Sequence, residues 1–209
     1  MRGLNNLNGR FRFRGQRSLT ERQFQAFTKD ISEDTMTNPN AIYAKFEDLE
    51  EQLAHCYFTL HKRFTADPEL AALWADAAWE ELQHSSILRY CREQGLRGDA
   101  TVNINTANHV ADLLATVMRI VRNPAVTVDE AFYASLLMES SELDDAYEKL
   151  TRPLARHHRA LFEAIHASIR SHHDKFADGA MEFSANKAYE EAFRAFARAD
   201  KRAWERTAS

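Results

Sequence analysis

From residue 41 onward, apolar residues recur every three to four positions, the spacing of amphipathic helices rather than strands. Phe46, Leu49, Leu53, Tyr57, Leu60 and Phe64 predict a first helix from about Ala41 to Phe64, opened by the breaker Asn38-Pro39-Asn40. A tight turn follows. Asp67 is suited to cap the next helix with Pro68 at its first position, and Leu70, Leu73, Trp74, Ala77, Ile87, Leu88 and Cys91 carry that helix to about residue 94. Gly95 and Gly98 end it. Residues 99–107 read as loop, and the stretch from His109 to Val121 as a short helix crossing from one end of a bundle to the other. Thr127-Val-Asp-Glu130 is a capping box that opens a third helix running to about Leu150. A fourth begins near Pro153 and passes through Leu154, Leu161, Phe162, Ile165 and Ile169 to about Phe176. Tyr189, Phe193, Phe196 and Trp204 form the stripe of a fifth helix over about residues 185–204, placed to cap the bundle or to join two subunits.

The expected fold is therefore all-α: a four-helix bundle of two helical hairpins with a long crossover and an extra C-terminal helix. No glycine falls between Gly15 and Gly95 or between Gly98 and Gly179, and Val, Ile and Thr do not alternate in runs, so strands are not expected. The chain divides into an extension over 1–35, the bundle over 36–178 and the C-terminal helix over 179–209. The extension holds five arginines and no acid in its first 20 residues, with nothing to bury, and reads as disordered when alone. A nucleic-acid arm or transit peptide would have this composition, but so does an incidental solvated extension, the preferred reading, with Met36 as an alternative start.

Charge narrows the field. With 27 Lys+Arg against 31 Asp+Glu, the net charge of -4 gives no reason to expect nucleic acid or a membrane as partner. The absence of a secretory signal and of a long apolar run favours a cytoplasmic location. Two cysteines and no Cys-x-x-Cys exclude a rubredoxin-type or zinc-ribbon module. Cys56 and Cys91 lie at levels roughly 22 Å apart at helical rise, too far for a disulfide.

Ionisable residues break the apolar pattern at a few positions. Glu81 and His84 lie one turn apart on the apolar face of the second helix, among Trp74, Ala77, Leu88 and Cys91. Glu139 falls at the centre of the third helix's stripe, with Glu142 at its edge. On the first helix Glu50 is nearer the stripe than Glu51 and is the inward carboxylate. The fourth helix supplies Glu163 and His166 as a second Glu-x-x-His, although these project beside the stripe, on which His158 is a substitute. With the first turn near residue 66, Glu50 and Glu81 stand opposite each other, about 16 and 15 residues away; with the second near 151, Glu139 and Glu163 are each about 12 away. Buried carboxylates without compensation cost several kcal/mol, roughly, so something must balance them. The pairs His157-His158 and His172-His173 read as solvated helix surface, and Tyr57 and Trp74 as core packing.

On these residues the chain resembles the ferritin-like superfamily, and within it the rubrerythrin-like proteins. The resemblance covers about residues 41–95 and 127–176 and rests on Leu49-Glu-Glu-Gln-Leu-Ala-His-Cys-Tyr57, Asp-Pro-Glu-Leu at 67–70, Glu-Glu-Leu-Gln-His at 80–84 and Glu139-Ser-Ser-Glu142. It implies two iron ions held by Glu50, Glu81, His84, Glu139, Glu142, Glu163 and His166, with manganese or zinc as competitors. It further implies Fe(II) oxidation coupled to reduction of oxygen or peroxide, as in a ferroxidase or a rubrerythrin-like peroxidase, and a homo-oligomer. Because the chain has no rubredoxin domain, the reductant would be a separate electron-donor protein. The alternative is a metal-free helical bundle acting as an interaction or scaffold protein, and a third reading is a di-metal oxygenase acting on an organic substrate in an apolar pocket.

Overall fold

The computed structural model describes residues 38–208, apart from the side chains of Glu142 and of residues 200–208. The basic extension lies outside the described residues. Within them the chain forms eight helices and no strand: α1 (Pro39–Arg63), α2 (Pro68–Glu93), α3 (Ile104–Val121), α4 (Val128–Glu139), α5 (Glu142–Thr151), α6 (Leu154–His157), α7 (Arg159–Phe183) and α8 (Ala188–Ala208). None of the helices is long and apolar enough to cross a membrane.

The helix ends follow local chemistry. Asn38 caps α1 by accepting a hydrogen bond from Asn40 N–H at 3.0 Å, and Asp67 caps α2 by accepting from Leu70 N–H at 3.1 Å, each with proline at the first helical position. At the end of α2, Gly95 takes φ +63°; its N–H and that of Leu96 donate to Arg92 and Cys91 carbonyls. The capping box forms as its sequence predicts: Thr127 N–H donates to Glu130 Oε2 at 2.8 Å and Glu130 N–H to Thr127 Oγ1 at 3.2 Å. α1 and α2 form an antiparallel hairpin and the most extensive contact among the described helices. Around it, Trp74, Tyr43, Tyr57, Tyr147, Phe132 and Phe176 fill a core in which Trp74 sits 5.1 Å from Phe132 and 5.8 Å from Phe176, ring centre to ring centre.

Three elements differ from the periodicity reading. α3 begins at Ile104, where Asn103 accepts from Asn105 and Thr106 N–H, so the crossover is a turn longer than expected. The third helix is broken. α4 stops at Glu139, and after Ser140 the Ser141 hydroxyl caps α5 by accepting from Leu143 N–H at 3.1 Å. Adjacent serines compete with the helix for backbone hydrogen bonds, which is why the break falls there. Finally, the second turn is spread over the single turn of α6 and a non-helical His158, and α7 continues past Phe176 to Phe183. α8 packs back along α7, with Phe193 fully buried against Phe176 at 5.1 Å and Arg194 bonded to Asp178 at 2.6 Å.

The loop after α2 abuts the backbone of α5. A Cβ on Gly98 would meet Leu150 Cα at 2.8 Å and the Lys149 carbonyl at 3.3 Å, and Asp99 N–H donates to that same carbonyl at 3.2 Å. Backbone cannot step aside as a side chain can. Gly98→Ala is therefore expected to destabilise the fold by about 1–3 kcal/mol, read as a lower denaturation midpoint with unchanged m; an unchanged midpoint would show that the loop is free to move.

Candidate metal centre

α1, α2, α4, α5 and α7 direct ionisable side chains into one buried volume. Glu50 from α1 and Glu81 and His84 from α2 are 1%, 3% and 5% exposed. Glu51 lies on another face, where it bonds Arg89 at 2.6 Å. Glu139 comes from the last residue of α4, Asp144 from the first turn of α5, and His172 and His173 from the middle of α7.

Their atoms fall into three ligand sets, each within 4.8 Å: Glu50, Glu81 and His84; Glu81, Glu139 and His172; Glu139, Asp144 and His173. Glu81 joins the first to the second and Glu139 the second to the third. In the first set His84 Nδ1 lies 3.0 Å from Glu81 Oε2 and 4.0 Å from Glu50 Oε2. In the second His172 Nε2 lies 3.4 Å from Glu81 Oε1 and 3.2 Å from Glu139 Oε1, which also accepts from the Tyr57 hydroxyl at 2.8 Å. In the third His173 Nε2 lies 3.1 Å from both Glu139 Oε2 and Asp144 Oδ2.

Behind the second set, Glu80 Oε2 contacts His172 Nδ1 at 2.5 Å, while its other oxygen accepts from Lys175 Nζ at 2.6 Å. Holding one ring nitrogen leaves Nε2 aimed at Glu81 and Glu139, the way carboxylates orient metal-ligating histidines.

The electrostatics show an excess of carboxylate. Burial and the neighbouring Glu81 charge push Glu50 well above the usual carboxylate range, and burial and the Glu139 charge raise Asp144. Burial acts in the same direction on Glu139, but His172 and His173 outweigh it and hold that carboxyl far below its ordinary value. Burial disfavours the His172 imidazolium, yet Glu139 and Glu80 raise its pKa well above that of a free histidine. Glu50 Oε2 and His84 Nε2 are buried without a hydrogen bond. A buried carboxylate oxygen with no donor, beside a second carboxylate and an imidazole, matches the oxygen and nitrogen ligands that divalent metals take. The clusters can hold metal ions.

Glu163 and His166 of the expected ligand set join none of the three sets. Glu163 is exposed and bonds Arg159 one turn earlier at 2.8 Å. His166 is buried against Phe162, at 4.4 Å between ring centres, and belongs to none of the three sets. His158 is exposed and meets the Tyr90 hydroxyl at 3.0 Å. The side chain of Glu142 lies outside those described. Conversely, His172 and His173 are core residues, not solvated surface, and with Asp144 and Glu80 complete the cluster. The signal for the histidines was present: continuing the stripe Ile165, Ile169 by one more turn reaches 172, 173 and then Phe176. The spread turn explains the register. Moving its centre from 151 to about 155 shifts the level opposite Glu139 from residue 163 to about 171.

A cavity of about 370 Å³ opens onto the cluster from solvent, lined by Glu139, Asp144, His166, Ile169, His173 and Phe196 among others. A slightly larger one of about 390 Å³, between Gly95–Asp99 and Lys149–His157, touches none of the ligand sets. No protein family, curated protein or solved structure matches the chain.

Proposed function

We propose that this chain is a ferritin-like di-metal protein that binds two divalent ions, iron in the first place, at Glu50, Glu81, His84, Glu139 and His172. The observation that carries this reading is the carboxylate of Glu81, one oxygen in each of two adjoining buried ligand sets, each completed by one imidazole and one further carboxylate. Ferritin-like di-metal bundles draw one Glu from each of two helices and a Glu-x-x-His from each of the other two. Here α1, α2 and α4 supply Glu50, Glu81-x-x-His84 and Glu139, whereas α7 supplies His172 without its companion glutamate, since Ile169 stands three residues before it.

Bound iron would supply one-electron chemistry toward oxygen or peroxide. The protein's own part is to hold charge and exclude water. Three carboxylates, Glu50, Glu81 and Glu139, converge with two imidazoles where two divalent ions would offset their charge. Glu80 fixes the His172 ring, the Tyr57 hydroxyl holds one oxygen of Glu139, and Trp74 and Phe176 pack on the Tyr57 ring. Because these ligands bind metal only when deprotonated, uptake should release protons and affinity should tighten as pH rises.

The test is anaerobic loading of the full chain with Fe(II), gel filtration, elemental analysis, and an optical spectrum after admitting air. Two ions retained per chain, proton release on loading and a new near-ultraviolet band in air are expected. A chain that stays metal-free would instead favour the helical scaffold reading.

A further inference from the structure

The third ligand set is not needed for the pair, and its geometry differs from that of the other two. Glu139 turns Oε1 toward His172 and Tyr57 and Oε2 toward His173, so one carboxylate spans the wall between the second set and the third. On the far side of that wall, Glu139 Oε2 and Asp144 Oδ2 both lie 3.1 Å from the single atom His173 Nε2. A ring nitrogen carries at most one proton, so it cannot make a full hydrogen bond to both oxygens. Asp144 Oδ2 is the one left without a hydrogen bond although the atom is buried. The imidazole itself is nearly inaccessible, with a side chain 2% exposed, whereas Asp144 is 31% exposed.

The helix break creates this arrangement. In an unbroken helix, residues 139 and 144 would point about 140° apart, at roughly 100° per residue, and could not meet one imidazole. Ending α4 at Glu139 and restarting at Ser141 brings the two carboxylates onto one nitrogen. Both, with His173, line the 370 Å³ cavity that opens to solvent, whose lining also includes the acids Asp145 and Glu148. Those two are paired with Lys149 and Arg152, whereas Asp144 Oδ2 is without a hydrogen bond.

We propose that Glu139, Asp144 and His173 form a third, solvent-reachable position for a divalent cation, through which ions pass by way of Glu139 to the buried pair. The proposal rests on the di-metal reading for its destination, but the position is defined by its own residues. Three oxygen and nitrogen ligands and an open side facing water suit an ion that keeps part of its hydration shell and exchanges readily. In the first set Glu50, Glu81 and His84 are each at most 5% exposed, with the Tyr147 ring 4.5 Å from His84, whereas Asp144 of the third set is 31% exposed. An ion arriving at Asp144 has one shared ligand, Glu139, to carry it inward.

The test is an anaerobic titration of the full-length chain with Co(II), following stoichiometry by equilibrium dialysis and loading rate by stopped-flow absorbance, in wild type, Asp144→Asn, Asp144→Glu and Glu50→Gln. Wild type should take up two ions tightly and a third more weakly. Asp144→Asn should lose the third and fill the buried pair about tenfold more slowly or worse, in the range for removing a supporting group, yet reach two ions at equilibrium with unchanged helicity. Asp144→Glu should restore the rate in part, which guards against a folding defect in the asparagine variant. Glu50→Gln should lose a buried ion and keep the weak one. Two ions in wild type with an unslowed Asp144→Asn overturns the intake position alone. Three ions retained by Asp144→Asn, or all ions lost from a well-folded Asp144→Asn, also overturns it, and a wild type that binds none overturns the pair and the intake position together.

Discussion

Replacing Glu81 with alanine should remove tight metal binding at both buried positions at once. Its two oxygens face different partners, Oε2 toward His84 at 3.0 Å and Oε1 toward His172 at 3.4 Å, so truncation takes a ligand from each set. His84→Ala, by contrast, strips only the first. Loss of a supporting group around a metal typically weakens binding about 10–100-fold, and loss of a shared ligand should exceed that for both ions. Stability of the metal-free protein should move the other way. Burial and the Glu81 charge both push protons onto Glu50, so deleting that charge relieves repulsion in the core, and the alanine variant should resist denaturant at least as well as metal-free wild type. Equilibrium dialysis and a urea melt of the stripped proteins give both readouts. Retention of two tightly held ions by Glu81→Ala would refute a shared-carboxylate centre.

His172→Ala should cost the second ion, with more than about 100-fold weaker binding there, while His158→Ala and Glu163→Ala change nothing measurable. The contrast follows from position: His172 is 3% exposed and touches Glu80, Glu81 and Glu139, whereas His158 and Glu163 stand on exposed surface with partners of their own. Glu80→Gln separates orientation from ligation. Glutamine still occupies the space next to His172 Nδ1 but carries no charge, so both ions should remain with about 10–100-fold weaker affinity at the second. Ion counts by elemental analysis and dissociation constants by competition with a chelator measure these effects. If Glu163→Ala released an ion and His172→Ala did not, α7 would have to sit about half a turn from the phase seen here.

Each helix contributes differently to the centre. α1 and α2 present Glu50 and Glu81 across a hairpin with capped ends, so their level is set by a short, defined turn. The second half depends on a helix broken at Ser140-Ser141 and a turn spread over seven residues, 152–158. Small displacements there would act on the second and third ligand sets and leave Glu50, Glu81 and His84 in place.

Features that depend on neighbours along the chain are legible in its sequence. Caps at Asn38, Asp67 and Thr127, the stop at Gly95 and the apolar face of each helix are local, and the periodicity predicts the all-helical chain and the inward faces of Glu50, Glu81, His84 and Glu139. The same stripe, one turn beyond Ile169, reaches His172 and His173, but adjacent histidines fit a solvated surface equally well by composition. The pairing of levels between helices distant in sequence is set by tertiary packing instead. Helical rise accumulates about 1.5 Å per residue, so a turn centred four residues later than expected moves the opposing position by more than a full helical turn. Periodicity cannot register such a shift, because it preserves every stripe. For the same reason Asp144 could not be read from sequence. It meets His173 only because the break after Glu139 resets the direction of α5, and a break is decided by whether two serines find better partners outside the helix than within it.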